Sequence, residues 1–168
     1  MLRNNSDNKS IKIKVVGVNT TNNEKLSGGL SAINYMLEQN LPNVKYLAVD
    51  RQDIKNLEGC KATHKLRLLN TADERDLVKA LRGTDIIFIV ADEVWENIKV
   101  VALTAHCAKK AGSFVICIAG GNFQDAEDEI IFDALTKLPS ENFASDSYKA
   151  VKNFIELVSK TPRLKTRA

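Results

Sequence analysis

The sequence lacks the features of several protein classes. Its three cysteines, Cys60, Cys107 and Cys117, form no even set and no CxxC pair, which argues against a disulfide framework and a structural zinc site. No apolar run approaches the roughly 20 residues that cross a bilayer, and residues 1–6 contain no apolar signal segment. The sequence therefore predicts a soluble, cytoplasmic protein without a membrane span.

An excess of charge of one sign is also missing. The 24 basic residues are interspersed with 21 acidic ones, so the formal net charge is only +3, and nucleic acid is not an expected partner. Residues 161–168 form a basic tail, which is predicted to be solvated, with an anionic partner as the alternative. Residues 1–10 are polar and are predicted to be a flexible arm. Residues 11–160 remain for a single domain.

The apolar segments predict a doubly wound α/β domain. The run at Ile86–Ala91 is rich in β-branched and aromatic residues and too short for a well-packed helix, so it is predicted to be the central strand. Further strands are predicted at residues 11–18, 44–50, 64–69 and 114–119, and helices at residues 27–41, 71–82, 95–110, 124–138 and 145–159. This order predicts a three-layer, mostly parallel sheet of the Rossmann-like class.

The first strand–helix–strand unit has the outline of a nucleotide-binding half. A glycine pair at the start of the first helix is followed, about 20 residues later, by an acid at the end of the second strand. Gly28, Gly29 and Ser31 could present a helix N-terminus to an anion. Asp50 could accept a hydrogen bond from a ribose hydroxyl. The alternatives are a plain loop-to-helix turn at the glycines and an N-cap at Asp50. The candidate nucleotide-binding residues are Gly17, Gly28, Gly29, Ser31 and Asp50, although the loop after Gly17 is too long for GxGxxG.

The turn after the central strand carries carboxylates where a phosphate site would carry glycines. It includes Asp92, Glu93, Trp95, Glu96 and Asn97. Its carboxylates fit either a divalent cation or a solvated helix start, and Trp95 fits either a core anchor or an exposed contact residue. The solvated start and the core anchor are preferred, so no metal site is predicted. No catalytic residues are predicted either, because His106 and Cys107 are adjacent on a helix and point about 100° apart.

Several segments, in the same order along the chain, resemble FtsZ, the bacterial homologue of tubulin. They are residues 13–18, 28–36, 47–50 and 71–89, and the turn at residues 108–112 follows at a similar distance. The resemblance covers roughly residues 11–120. It implies the fold of the FtsZ/tubulin-like GTPase domain, with GTP or GDP as the ligand and a link to cell division or the cytoskeleton.

The departures from that family imply a degenerate and truncated member. The family's glycine-rich phosphate signature would lie just after Ala91, where this chain has carboxylates. Two like charges about 4 Å apart cost roughly 1 kcal/mol in water and several times that in a partly buried site, so triphosphate binding is disfavoured. The family's hydrolysis loop and C-terminal domain are not found in the sequence either.

The resemblance therefore implies a non-hydrolysing pseudo-GTPase, with no cofactor expected, that associates with itself or with an FtsZ-family filament. The alternative is a small nucleotide-binding protein or enzyme of the Rossmann type. It would use Gly28, Gly29 and Asp50 to bind GTP, GDP or a dinucleotide.

Overall fold

The computed structural model describes residues 11–18, 28–41, 43–50, 67–70, 74–92, 98–120, 132–139 and 141–159. The strands in this part of the chain are β1 (Ile13–Val18), β2 (Val44–Asp50), β3 (Arg67–Asn70), β4 (Ile86–Ala91), β5 (Phe114–Ala119) and β6 (Ala134–Lys137). The helices are α1 (Gly28–Glu38), α2 (Glu74–Leu81), α3 (Ile98–Lys110) and α4 (Phe143–Ser159). None of the helices described here is long and apolar enough to cross a membrane.

The strands form one parallel sheet in the order β3-β2-β1-β4-β5-β6. In its centre, Val16 of β1 lies opposite Leu47 of β2 on one side and Ile89 of β4 on the other. This strand order is that of doubly wound, Rossmann-type sheets. The predicted fold class is therefore confirmed.

Helices cover both faces of the sheet. Helices α1 and α4 pack on one face, and α2 and α3 pack on the other. The central strand β4 is buried along its whole length: Phe88 faces α1 and α4, whereas Ile89 faces α2 and α3. The ring of Phe88 meets Phe154 of α4 edge to face, with centroids 5.3 Å apart. Because β4 is covered on both faces, it is apolar at every position instead of at alternate positions.

Helix α3 ends as its sequence predicts. Lys109 and Lys110 occupy its last turn, and Gly112 follows with φ of 92°, a conformation that glycine adopts without steric cost. The Gly112 N–H donates to the Lys109 carbonyl oxygen at 2.9 Å. The buried hydroxyl of Ser113 donates to the Thr84 carbonyl oxygen at 2.7 Å. This bond joins the turn before β5 to the turn before β4.

The segment before α4 differs from the prediction. The spacing of Ile130, Ala134 and Leu138 predicts a helix, but Ala134–Lys137 forms strand β6. Only Leu135 of the four residues packs partly against the core, whereas all four pair with β5. Backbone pairing with a buried strand therefore decides the conformation of this short segment. The helix predicted over residues 132–138 is wrong, and residues 124–131 lie outside the described residues.

Several other predictions fall partly or wholly outside the described residues. The predicted arm at residues 1–10 and the predicted tail at residues 161–168 are among them. So are residues 64–66 of the predicted edge strand, whose described part is β3, and residues 95–97 of the helix that is described from Ile98. Helix α4 begins at Phe143, two positions earlier than predicted, and the Phe143 side chain is buried in the core.

Candidate nucleotide-binding site

The strand order reverses between β1 and β4. From β1 the chain runs outward through α1 on one face of the sheet, and from β4 it runs outward in the other direction through α3 on the opposite face. In doubly wound folds such a divergence forms a crevice at the carboxyl ends of the two strands, and ligands bind there. The candidate site of this chain is therefore the region around Val18, Ala91 and the amino end of α1.

Two glycines allow α1 to lie directly against the sheet at this point. A Cβ atom on Gly29 would lie 2.7 Å from the Val18 carbonyl oxygen and would also overlap the Val90 carbonyl oxygen. A Cβ atom on Gly17, in β1, would lie 2.9 Å from the Gly29 carbonyl oxygen and would overlap the Ile33 side chain. Gly17 therefore lies beneath α1 and gives the helix room to pack, and its predicted contact with a nucleotide stays a prediction.

Asp92, the residue after β4, lies across the amino end of α1. Its Oδ1 atom accepts a hydrogen bond from the Gly28 N–H at 2.8 Å. A Cβ atom on Gly28 would overlap the Asp92 carboxylate, and a Cβ atom on Gly120 would lie 2.9 Å from the Asp92 Cα. The Gly120 N–H itself donates to the Ala91 carbonyl oxygen at 2.8 Å. The Asp92 side chain thus occupies a cradle between two glycines.

The physical chemistry of this contact is that of an anion site. The first N–H groups of a helix have no acceptor inside the helix, and the helix dipole places partial positive charge at the same end. A carboxylate at this position is stabilised by both effects, as a phosphate oxygen would be. Because Gly28 has no Cβ atom, the acceptor oxygen can approach its N–H without a steric clash.

The remaining predicted site residues lie in α1, at the end of β2 and in the turn after β4. Ser31 is half-buried in the first turn of α1. Asp50 is the last residue of β2, opposite Asn70 of β3, so its backbone lies at the same carboxyl edge of the sheet as Val18. Of the residues predicted to form the turn after β4, Asp92 is described and residues 93–97 lie outside the described residues.

Gly120 is the residue that sequence reasoning missed. It directly follows β5 and lines the Asp92 cradle. The signal available was a glycine at the carboxyl end of a buried strand, next to the strand whose end already carried the candidate turn.

The described residues show no catalytic constellation. No group of three or more His, Cys, Asp or Glu side chains that could hold a metal ion occurs among them. His106 is exposed on α3, while Cys107 and Cys117 are buried in the core.

Two groups with shifted pKa values lie away from the switch point. Burial raises the pKa of Asp133, but hydrogen bonds from the Lys109 ammonium and the Val115 N–H, both at 2.7 Å, outweigh it and lower the pKa overall. Burial raises the pKa of Tyr46 to about 12, and Tyr148 adds to the effect. The Tyr46 hydroxyl is buried without a hydrogen-bond partner among the described residues. Asp133 precedes β6 and Tyr46 lies within β2, so neither group is at the carboxyl ends of β1 and β4.

Two cavities of about 480 Å³ and 630 Å³ open at the opposite, amino-terminal edge of the sheet. They share Lys14, Val44 and Lys45 as lining residues. Lys14 already donates to the Ala80 carbonyl oxygen at the end of α2, at 2.6 Å. Ligands of doubly wound sheets bind at the carboxyl ends of the strands, so we place the candidate site at the switch point and not in these cavities.

Comparison with known proteins gives similarity in fold. No family model matches the chain, and no curated protein matches it either. Similar solved structures include an NADPH-dependent quinone oxidoreductase from Escherichia coli complexed with NADPH, at 20% identity and a TM-score of 0.42. Another is a triphenylmethane reductase from Citrobacter sp. complexed with NADP(H), at 17% identity and a TM-score of 0.42. A third is a dTDP-glucose 4,6-dehydratase from Streptomyces venezuelae with NAD bound, at 18% identity and a TM-score of 0.44.

The alignments cover most of this chain but only part of those proteins. They include 65%, 86% and 90% of this chain, respectively, and 36%, 46% and 52% of the three enzymes. The chain thus spans about half of their length or less.

These findings correct the resemblance to FtsZ. The similar structures include reductases, a dehydratase, a putative epimerase and a heptosyltransferase, and nothing among them points to FtsZ or tubulin. The prediction of an FtsZ-like pseudo-GTPase linked to cell division is therefore wrong. The segments that resembled FtsZ form β1, the start of α1, β2, α2 and β4, which are the strand–helix–strand elements of any doubly wound sheet.

The cofactor prediction is corrected with it. The expectation of no cofactor, with GTP or GDP as the alternative, followed from the resemblance, whereas the three similar structures described above were solved with NADPH, NADP(H) or NAD. The predicted partners, a second copy or an FtsZ filament, had the same source; association with a second copy stays an untested prediction.

Proposed function

We propose that this chain is a Rossmann-type domain that binds a nicotinamide dinucleotide of the NAD(H) class at the switch point between β1 and β4. One observation carries the proposal: the Gly28 N–H, at the amino end of α1, holds an anionic oxygen at 2.8 Å. In dinucleotide-binding domains the pyrophosphate takes this position, between the end of the first strand and the start of the first helix.

The residues around Gly28 fit an oxyanion. Gly29 brings the helix end against the carbonyl oxygens of Val18 and Val90, and Gly28 and Gly120 leave open the space between them that the Asp92 carboxylate fills. Backbone N–H groups in a glycine-lined cradle bind phosphate oxygens because no Cβ atom obstructs the approach. The cradle fits one anionic group at a time, so a phosphate requires the Asp92 side chain to move aside.

Asp50 supports the dinucleotide class over a simple anion site. It ends β2, the neighbour of β1, about twenty residues after the glycine pair, which is where dinucleotide-binding domains carry the acid that accepts the ribose hydroxyls. A carboxylate at this position repels the additional phosphate of NADPH. We therefore assign the preference to NAD(H) over NADP(H).

The proposal concerns binding. When bound, a nicotinamide dinucleotide supplies hydride transfer, but the described residues include no group that we assign to a reacting atom. The contribution of these residues is to hold the phosphates at the amino end of α1 and the ribose at the end of β2.

The test is thermal unfolding combined with calorimetric titration of NADH, NADPH, GTP and ATP. At 100 times its dissociation constant a ligand stabilises the folded state by about 2.7 kcal/mol, which for a domain of this size raises the melting temperature by about 5–10 °C. We expect this shift with NADH. A shift with GTP alone would contradict the proposal. So would an unchanged melting temperature with both dinucleotides at millimolar concentration.

The variant Asp50→Asn tests the assignment of the ribose position. Two like charges about 4 Å apart repel by about 1 kcal/mol in water, so we expect NADH to bind at least about fivefold more tightly than NADPH. In Asp50→Asn this ratio should fall close to one. Glu141→Gln is the matched control, since Glu141 is exposed before α4, and it should leave the ratio unchanged. An equal ratio in the wild type and Asp50→Asn would remove Asp50 from the site.

A further inference from the structure

We infer that Asp92 limits the affinity of this site for phosphate groups: its carboxylate is an internal anion that competes with the ligand's phosphate for the Gly28 N–H. The inference rests on the proposed function and goes beyond it. It explains why a side chain of the same protein occupies a site with the geometry of a phosphate cradle, and it states how that side chain changes the affinity for phosphate.

The first observation is the contact itself. The Gly28 N–H donates to Asp92 Oδ1 at 2.8 Å, across 64 positions of sequence, so the carboxylate belongs to a different segment from the helix it meets. The acceptor of the Gly28 N–H therefore comes from the end of β4.

The second observation is steric and independent of the hydrogen bond. Carbon atoms placed on Gly28 or on Gly120 would overlap the Asp92 side chain. The half-buried Asp92 side chain thus lies between two glycines, at the junction of α1, β4 and β5. A phosphate group and the carboxylate cannot both occupy this volume, and even side by side their charges would repel.

The consequence concerns the kind of ligand that the site accepts. Free phosphate or pyrophosphate must displace the carboxylate without other contacts to compensate, so it binds weakly. A dinucleotide brings additional contacts through its base and ribose, and these can offset the displacement. Asp92 therefore lowers the affinity for every ligand that carries a phosphate, and a ligand with additional contacts, such as a dinucleotide, still binds despite this loss.

The experiment compares the wild type with Asp92→Asn and Asp92→Ala. The asparagine variant keeps the size and an acceptor oxygen but loses the charge, and the alanine variant also empties the cradle. Asp85→Asn is the matched control, because Asp85 likewise accepts a backbone N–H, that of Lys12 at 2.8 Å, at the other end of the same sheet. Calorimetric titrations at one pH and one ionic strength use three probes: NADH, inorganic pyrophosphate and adenosine.

We expect the asparagine variant to bind pyrophosphate and NADH at least about fivefold more tightly than the wild type, as the repulsion of two charges in water requires. Adenosine, which carries no phosphate, should bind all variants equally, and Asp85→Asn should match the wild type with every probe. In ¹H–¹⁵N spectra, saturating pyrophosphate should shift the Gly28 amide of the asparagine variant.

The outcomes separate this inference from the proposed function. If NADH binds the wild type and both Asp92 variants equally, the role of Asp92 is refuted and the function stands. If the Asp92 variants lose affinity for adenosine as well as for phosphate ligands, Asp92 only orders the site, and the inference is again refuted. If neither the wild type nor the alanine variant binds NADH or pyrophosphate, both the inference and the proposed function are refuted.

Discussion

Replacing Gly29 with alanine tests whether α1 is pressed against the sheet as closely as the structure shows. The added methyl group would lie 2.7 Å from the Val18 carbonyl oxygen and 3.2 Å from the Val18 nitrogen, and it would overlap the Val90 carbonyl oxygen. These neighbours are backbone atoms of the two central strands. They cannot move aside as the end of a flexible side chain can, so the helix must shift outward or the strands must separate.

The expected loss of stability follows from two opposing effects. Alanine has a helix propensity up to about 1 kcal/mol better than that of glycine, which favours the variant. Inserting a methyl group into a closely packed region costs about 1–3 kcal/mol or more, and here the helix also loses contact between Ile33 and the core of α1 and α4. We therefore expect Gly29→Ala to lower the free energy of unfolding by about 1–2 kcal/mol.

Urea unfolding measures this difference through the transition midpoint, provided that the m-value is unchanged. Gly28→Ala is the matched control, because the three atoms nearest to its methyl group belong to the Asp92 carboxylate, the end of a side chain that can rotate, and not to backbone. This control should lie within about 1 kcal/mol of the wild type. A Gly29→Ala protein as stable as the wild type, or more stable, would show that α1 does not contact the ends of β1 and β4 as described.

Two further predictions concern the shifted pKa values. The pKa of Asp133 is lowered in the folded state by Lys109 and the Val115 N–H despite the opposing effect of burial. The stability that Asp133 contributes to the fold is therefore present above its unfolded pKa near 3.9. This stability is lost as the pH falls through its folded pKa. Asp133→Asn should therefore weaken the acid dependence of the urea midpoint below about pH 4; an unchanged dependence would contradict the ion pair. The pKa of Tyr46 is raised to about 12, so its contribution is lost as the pH rises from about 10 toward 12. Tyr46→Phe should reduce this alkaline loss and should be neutral or stabilising at pH 7, since no hydrogen bond is removed; a destabilisation above about 1 kcal/mol would reveal a hidden partner of the hydroxyl.

The sequence was sufficient for the elements that are buried on both faces. Strands β4 and β5 are continuous apolar runs because helices cover both sides of the sheet, and such runs can be recognised without knowing their neighbours. The start of α1 was also predictable, since a glycine pair marks the place where a helix meets the sheet. These features depend on local pattern, and together they were enough for the fold class.

Strand β6 could not be predicted in the same way. Its apolar residues fit the helical period as well as the strand period, and Ala134–Lys137 is mostly exposed. What makes it a strand is its pairing with β5, a contact between segments that no local pattern encodes. The resemblance to FtsZ failed for a related reason: strand–helix–strand patterns are shared by all doubly wound sheets, whereas function depends on the loops between them.

The carboxylate of Asp92 shows why the site is harder to predict than the fold. From the sequence, an acid just before α3 is expected to favour the dipole of that helix. In the structure Asp92 Oδ1 accepts a hydrogen bond from α1, a helix that begins 64 positions earlier. At a switch point the two helices that follow neighbouring strands lie on opposite faces of the sheet, and both start at its carboxyl edge. A carboxylate at the end of β4 can therefore interact with either helix, and the missing side chains of Gly28 and Gly120 favour α1. The charge was thus predictable, but the helix with which it interacts depends on packing that only the folded chain defines.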